Sequence, residues 1–257
     1  MSTLTLAAMA TLVFCAPGYP GGTGDAQPLV DQFAKAAATS AGWKADSLAA
    51  VYDPTEPGGL AKLGGTDSVL TFVPYAFYVQ HAASLRLTPL AQADVLGVGT
   101  QEKWTLVAKA GPVTGPAAMT GYTILSVAGY APEFVRHAAL RDWTLPPDIK
   151  IEATGQILSA LRRVVSGEPV VALLDQTQAA ALPTLPFAAQ LKTLTQSAAL
   201  PVALIAVVDA RLPDPRAKAF QAALLKLNST RGGADMLASL RLKGFVLPQL
   251  PDTPGKP

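Results

Sequence analysis

At 257 residues the chain has room for one large domain or two smaller ones, each able to bury a core. Half of the residues are apolar, 15% are charged and the net charge is +2, so the clustered basic stripe of a nucleic-acid-binding protein is excluded. No uninterrupted apolar run reaches the roughly 20 residues of a membrane-spanning helix; the longest, Ala198 to Val208, contains Pro201, ends at Asp209 and reads as a buried strand.

The first 24 residues carry no charged side chain. Ala8-Met9-Ala10 fits an A-x-A signal-peptidase site, and Leu4 to Ala8 fits the end of the apolar region before it, so export is expected with a signal that is incomplete in this chain. Thr11 to Ala16 predicts a buried strand, and Cys15 within it is the single cysteine, which excludes an intramolecular disulfide. The large Phe14 before it does not suit a lipidated cysteine, and an inert packed thiol is expected.

After a Gly- and Pro-rich loop, Pro28 is placed in the first turn of a helix that runs to Ala41. Strands at Ser47–Tyr52 and Ser68–Pro74 bracket a short helix at Gly58–Leu63; a helix at Tyr75–Leu85 and strands at Leu87–Ala93 and Lys103–Ala108 follow. The alternation then restarts. Strands are predicted at Tyr122–Val127, Ile149–Ala153, Val170–Asp175, Leu191–Gln196, Val202–Asp209 and Leu242–Leu247. Helices are predicted at Pro132–Arg141, Gln156–Val165, Gln176–Leu182, Pro213–Leu227 and Gly233–Leu240, and Pro251–Pro257 as a loose tail. Such alternation implies an α/β protein with parallel sheets covered on both faces, in two blocks. The last helices have no strands of their own, so the chain is expected to return to the first block. Lys103–Ala108 would lead out and Val202–Asp209 back, with a ligand at the carboxyl ends of the strands.

Two segments share one design: Phe14-Cys15-Ala16-Pro17-Gly18-Tyr19-Pro20 and Ser126-Val127-Ala128-Gly129-Tyr130-Ala131-Pro132. Each follows a strand, bends at a Gly and carries a Tyr, a residue with an apolar body and a polar tip. Facing each other they would form a two-sided site from Gly18, Tyr19, Ser126, Ala128, Gly129 and Tyr130. Pro74 and Tyr75 at the end of the third strand, and Trp104 at the start of the outbound crossing, are further candidates. Asp175 either accepts from a ligand hydroxyl or amine or caps the helix at Gln176. Gln176 and Gln178 are weaker candidates, and Lys103 is the one basic residue expected nearby. His81 and His137 lie far apart on separate helices and make no metal site. Arg136 and Arg141 are expected in solvent, and Trp143 under the second block.

Several of these patterns coincide with one family. Ser68-Val-Leu-Thr-Phe-Val-Pro-Tyr75 stands where it has an apolar strand ending in a cleft aromatic, and Ser126-Val-Ala-Gly-Tyr130 with Pro132 is similar to its Ser-x-Ser-Gly-Tyr phosphoryl turn. Leu158–Leu161 through Gly167 to Val170–Asp175 matches its helix–Gly–strand–Asp run; Leu200-Pro201 fits its return crossing and Gly244-Phe245 its closing strand. The chain thus resembles a type 2 periplasmic solute-binding protein of the phosphate/phosphonate-binding branch of ABC importers. The resemblance implies two Rossmann-like α/β lobes joined by two crossing strands, with lobes 11–105 plus 205–247 and 106–204, after a residual signal segment 1–10 and before a tail 248–257. It also implies a periplasmic, monomeric receptor without cofactor, closing on a small ligand and handing it to a membrane transporter permease. Ala128 replaces the second Ser of the phosphoryl turn, and Pro17 and Pro20 lack N–H donors. The ligand expected is therefore organic or amphipathic, the alternatives being a phosphate- or phosphonate-type oxyanion or a lipid-like molecule on a periplasmic carrier.

Chemistry is not expected. The sequence lacks G-x-S-x-G, H-E-x-x-H and G-x-x-x-x-G-K-[ST], and Gly22-Thr23-Gly24 is only a fragment of a dinucleotide loop. Hydroxymethylbilane synthase and prephenate dehydratase share related scaffolds, but the first needs a cofactor-bearing cysteine and a string of cleft arginines. A sensory or scaffolding domain that no longer binds a solute is the remaining alternative.

Overall fold

The computed structural model describes residues 9–18 and 21–251, so Tyr19, most of the expected signal segment and the last six residues of the tail lie outside the described residues. The elements run β1 (Ala10–Cys15), α1 (Thr23–Ser40), β2 (Leu48–Asp53), α2 (Glu56–Leu63), β3 (Ser68–Pro74), α3 (Tyr75–His81), β4 (Thr88–Val95), β5 (Gln101–Glu102) and β6 (Thr105–Lys109). They continue with β7 (Thr123–Ser126), α4 (Pro132–Phe134), β8 (Lys150–Ala153), α5 (Ile157–Ser166), β9 (Val170–Leu174), α6 (Gln176–Ala181) and β10 (Leu191–Gln196). The chain returns through β11 (Leu200–Pro201) and β12 (Ala203–Val207) and closes with α7 (Asp214–Lys226), α8 (Gly233–Ser239) and β13 (Leu242–Val246).

Two large sheets result among the described residues, ordered β13-β4-β12-β3-β1-β2 and β10-β6-β9-β7-β8, with β11 and β5 as a separate two-stranded pair between them in sequence. Taken from β2 and β8 inward they follow one plan: second strand, first strand, third strand, a strand arriving from the other lobe, then the strand that leaves. β13 is the addition on the first sheet. The expectation of wholly parallel sheets is corrected. β1, β2 and β3 are parallel, as are β7, β8 and β9, but β12 and β6 run antiparallel to β3 and β9. The carboxyl ends of the parallel strands face the junction, so a strand entering from the junction must run the opposite way.

Apolar runs explain the layering. On one face of the first sheet α1 buries Val30, Phe33, Ala34, Ala37 and Ala38 beside Phe14, Phe220 and Leu237, which brings α7 and α8 home to this sheet. On the other face α2 and α3 bury Leu63 and Phe77 against Val13 and Val73. Each such large side chain contributes about 1.5–3 kcal/mol by leaving water. In the second sheet α5 buries Ala160, Leu161 and Val164 against Val107, Leu125 and Ala172.

Three local expectations change. α1 begins at Thr23, so Pro28 lies inside it rather than in its first turn. The loop supplies Gly22 as N-cap, and a proline early in a helix forfeits only one bond near the frayed end. The helix expected at Pro132–Arg141 is a short α turn that continues as a π-helical turn, Val135–Ala139. There Arg136 is tied down rather than solvated, donating to Pro146 O (3.4 Å) and Ile149 O (3.0 Å). The start of the tail is docked: Gln249 N–H donates to Gln92 Oε1 (2.9 Å) and Leu250 packs on the second lobe's core. Cys15 is buried and donates to Thr55 O (3.5 Å), and burial raises its thiol pKa to about 12, which leaves it inert.

Candidate functional site

The chain crosses between the sheets twice, and the crossings clasp each other. β5 pairs antiparallel with β11, Glu102 opposite Leu200. Next to that pair, Ser197 N–H donates to Trp104 O (2.8 Å) and Trp104 N–H donates to Ser197 Oγ (2.9 Å). Tyr75 N–H donates to Val202 O (3.0 Å), anchoring the start of α3 on the return crossing.

Beside these crossings the strand ends of both lobes meet around one cavity. Pro17 follows β1; Pro74, Tyr75 and Ala76 span the β3–α3 corner; Val127, Ala128 and Tyr130 form the turn after β7; Glu102, Trp104 and Val202 come from the crossings. Its volume is ≈ 10 Å³, the space of a single water. The cleft is therefore shut, and its two walls form a shared core: Tyr75, Ala76 and Trp104 pack with Ala128, Ala131 and Phe134. Phe134 meets the Tyr75 ring edge-on at 6.1 Å and the Trp104 ring at 5.2 Å. At the rim Glu133 N–H donates to Gln80 Oε1 across the lobes (3.0 Å).

The first Gly-Tyr turn touches the second directly. Gly18 has φ +82°, and a Cβ there would stand 2.5 Å from Val127 O. Alanine at this position incurs the left-handed cost of about 1–2 kcal/mol in addition to that overlap. Gly18→Ala is therefore expected to shift the protein toward an open form, read as a larger radius of gyration in small-angle scattering; an unchanged profile would refute this contact in solution.

Of the residues singled out from sequence, Pro74, Tyr75, Trp104, Ala128 and Tyr130 share the cavity. Others take structural positions. Ser126 is fully buried, its Oγ accepting from Ala128 N–H (3.2 Å) and its carbonyl from Gly129 N–H (3.1 Å) and Thr154 N–H (2.8 Å). Gly129 faces β8, where a Cβ would overlap the Glu152–Ala153 backbone; its close approach is to protein. Asp175 caps α6 in a reciprocal box: its Oδ1 accepts from Gln178 N–H (2.8 Å), and Gln178 Oε1 accepts from Asp175 N–H (3.2 Å). Lys103 is exposed and lines no part of the cavity. Trp143 lies under the second lobe, its indole donating to Met119 Sδ (3.2 Å). His81 pairs with Glu56 (2.7 Å) and His137 with Glu133 (3.4 Å), each as an ion pair when protonated.

Sequence reasoning missed Glu102, which is 6% exposed and, among the described residues, is the one carboxyl in the cavity wall. The signal was alternation: in an extended crossing, residues 102 and 104 share a face, so a cleft Trp104 brings Glu102 with it. Burial, and next the charge of Asp175, raise its pKa to about 8, although the Gln176 N–H and the Trp104 indole act the other way. Burial likewise raises Asp175, against its bonds from Gln178 and Thr177 N–H. Glu102 thus binds its proton more tightly when folded than when unfolded. Its contribution to stability is complete below the unfolded pKa of about 4.5, declines as pH rises, and is gone above about 8. Between those limits the wild type is expected to lose stability relative to Glu102→Gln, as urea unfolding at several pH values would show; parallel pH profiles would contradict it.

No curated protein sequence matches the chain. Among solved structures it is similar to XAC2383 from Xanthomonas citri bound to chloride ion, with TM-score 0.69 and 14% identity over 95% of this chain and 93% of that one. PhnD1 from Prochlorococcus marinus in complex with methylphosphonate gives TM-score 0.56 and 12% identity, over 94% and 93%. A binding protein component of an ABC phosphonate transporter from Pseudomonas aeruginosa gives 0.55 and 15%, over 93% and 82%. At these identities the likeness establishes the two-lobed fold. Family membership comes from residues 69–252, which match the family described as ABC transporter, phosphonate, periplasmic substrate-binding protein. That family is a transporter's binding component and not a class of enzymes, and among the described residues no helix is long and apolar enough to cross a membrane. With two like sheets, a double crossing and a match from β3 to the end of the described chain, this protein belongs to the periplasmic phosphonate-binding family of ABC transporter substrate-binding proteins.

Proposed function

We propose that this chain is an exported, monomeric receptor that captures one small organic or amphipathic solute between lobes 11–105 plus 205–247 and 106–204, and delivers it to an ABC permease. The lobes open about the β5–β11 hinge, and the solute replaces part of the contact between the two walls. The observation that carries the ligand class is the wall chemistry: Tyr75, Trp104, Tyr130, Pro17, Pro74 and Val127 around one carboxyl, with no Lys, Arg or His among the cavity-lining residues. An oxyanion needs free N–H donors or a cation. In the turn after β7 the N–H groups of Ala128, Gly129 and Ala131 already serve Ser126 Oγ, Ser126 O and Ala128 O. Chloride, ATP and methylphosphonate are the ligands named for relatives of this fold; that variety leaves the choice to the wall residues.

Thermal shift against inorganic phosphate, methylphosphonate, small organic solutes and lipid extract tests the reading, since a ligand specific to the native state raises Tm by mass action. Organic solutes are expected to stabilise. Strong stabilisation by millimolar phosphate or methylphosphonate alone would favour the oxyanion, and by lipid extract alone the carrier. Tyr130→Ala is expected to weaken binding of the stabilising solute by up to about tenfold, the order of a lost aromatic contact of about 1.5 kcal/mol; unchanged affinity would remove the second turn from the site.

A further inference from the structure

Resting on that solute-binding reading, we propose that the solute is an organic cation, an alkylated ammonium held against the aromatic wall of Tyr75, Trp104 and Tyr130 and paired with the Glu102 carboxyl that borders the same cavity. A cation is drawn to ring faces, most strongly to Trp and next to Tyr, when water is excluded. Trp104 and Tyr75 are 3% and 8% exposed, and with Tyr130 they enclose the space that Glu102 borders. Among the described residues the cavity wall holds no positive group to repel a cation. Glu102 and Asp175 together supply two carboxyls at the junction of crossing and α6, close enough for the charge of Asp175 to act on Glu102.

The titratable groups around Glu102 can be named element by element. Asp175 comes from the cap of α6, Tyr75 from α3 and Tyr130 from the turn after β7. β11, opposite in the ladder, offers only Leu200 and Pro201, and the adjacent Lys103 is exposed. In the shut cleft a second negative charge beside Asp175 would be buried with only the Gln176 N–H and the Trp104 indole to offset it, and the proton on Glu102 prevents this. When a cation enters, the carboxyl O–H bond breaks, its electron pair stays on the carboxylate, and one proton passes to solvent. The dry closed state stays neutral in its change of charge: one cation in, one proton out. An oxyanion entering the same space would do the opposite, since it meets a carboxyl that must remain protonated.

The test is isothermal titration calorimetry from pH 6 to 8.5, in buffers of different ionisation enthalpy. The probes are tetramethylammonium, choline and its uncharged isostere 3,3-dimethylbutan-1-ol, with methylphosphonate beside them. Expected are binding of at least one ammonium, a ten-fold or greater preference for choline over the isostere, and release of close to one proton at pH 6. Affinity should rise by up to about tenfold per pH unit and level off near pH 8. Glu102→Gln, with folding verified by its melting curve, should lose both the proton release and the pH slope. Asp175→Asn keeps a capping side chain but removes the like charge, and should move the pH midpoint down. Equal binding of choline and the isostere overturns the cation while leaving the organic receptor intact. Methylphosphonate binding with no ammonium binding overturns both, as does the absence of any binding. Ammonium binding without proton release overturns the exchange.

Discussion

Phe134→Ala should lower the unfolding free energy by about 3–5 kcal/mol, the range for deleting a fully buried Phe ring and leaving a cavity behind. The ring is fully buried, and it joins the lobes: it belongs to α4 of the second lobe yet packs edge-on against Tyr75 of the β3–α3 corner and Trp104 of the crossing. A change of that size in a domain of this length corresponds to a Tm decrease on the order of 10 °C. It should also loosen the cleft, seen as faster hydrogen exchange in α3 and in the turn after β7. A loss under about 1 kcal/mol would mean that the shut cleft is not the form in solution, because only there does the ring bear on both walls.

Arg211→Ala is expected to cost about 2–4 kcal/mol, since hydrogen bonds from a charged donor contribute more than neutral ones and their loss strands the acceptors. Its Nη1 shares its two N–H groups among three carbonyls around the α2–β3 connection: Leu63 O at the end of α2 (3.0 Å), Gly65 O in the loop (2.6 Å) and Ser68 O at the start of β3 (3.1 Å). Arg211 follows a turn in which Asp209 and Ala210 have φ of 49° and 52°, conformations that a tight anchor helps to hold. Lysine at this position should recover only part of the loss, because a point charge on a flexible stem cannot match the guanidinium's fixed fork. Urea titration measures the cost, and amide exchange at 65–68 locates it; a variant as stable as the wild type would show that water serves the three carbonyls equally well.

The elements were legible wherever a bounded apolar run decides burial by itself. Ser68–Pro74 matches β3 residue for residue, since that apolar run is closed by a proline. The repetition of the Gly-Tyr turn likewise pointed to corresponding places: β1 and β7 hold the same position in two sheets of one plan. Pattern alone could not divide the turn residues between ligand and scaffold. Ser126 and Gly129 have the residue types of a binding turn, but the former closes its own turn and the latter makes room for the β8 backbone.

By itself, then, the amino-acid sequence determined an α/β chain in two blocks, the return of α7 and α8 to the first block, and a cleft at the strand ends. These follow from periodicity and turn chemistry, which act within a few residues. The tertiary structure alone decided the antiparallel entry of β6 and β12, the shared core that shuts the cleft, and the burial of Glu102 beside Asp175. The physical reason is range. The side on which a crossing strand enters, and the loss of water around a carboxyl, depend on segments about a hundred residues apart, such as β5 and β11, and no local spacing records them.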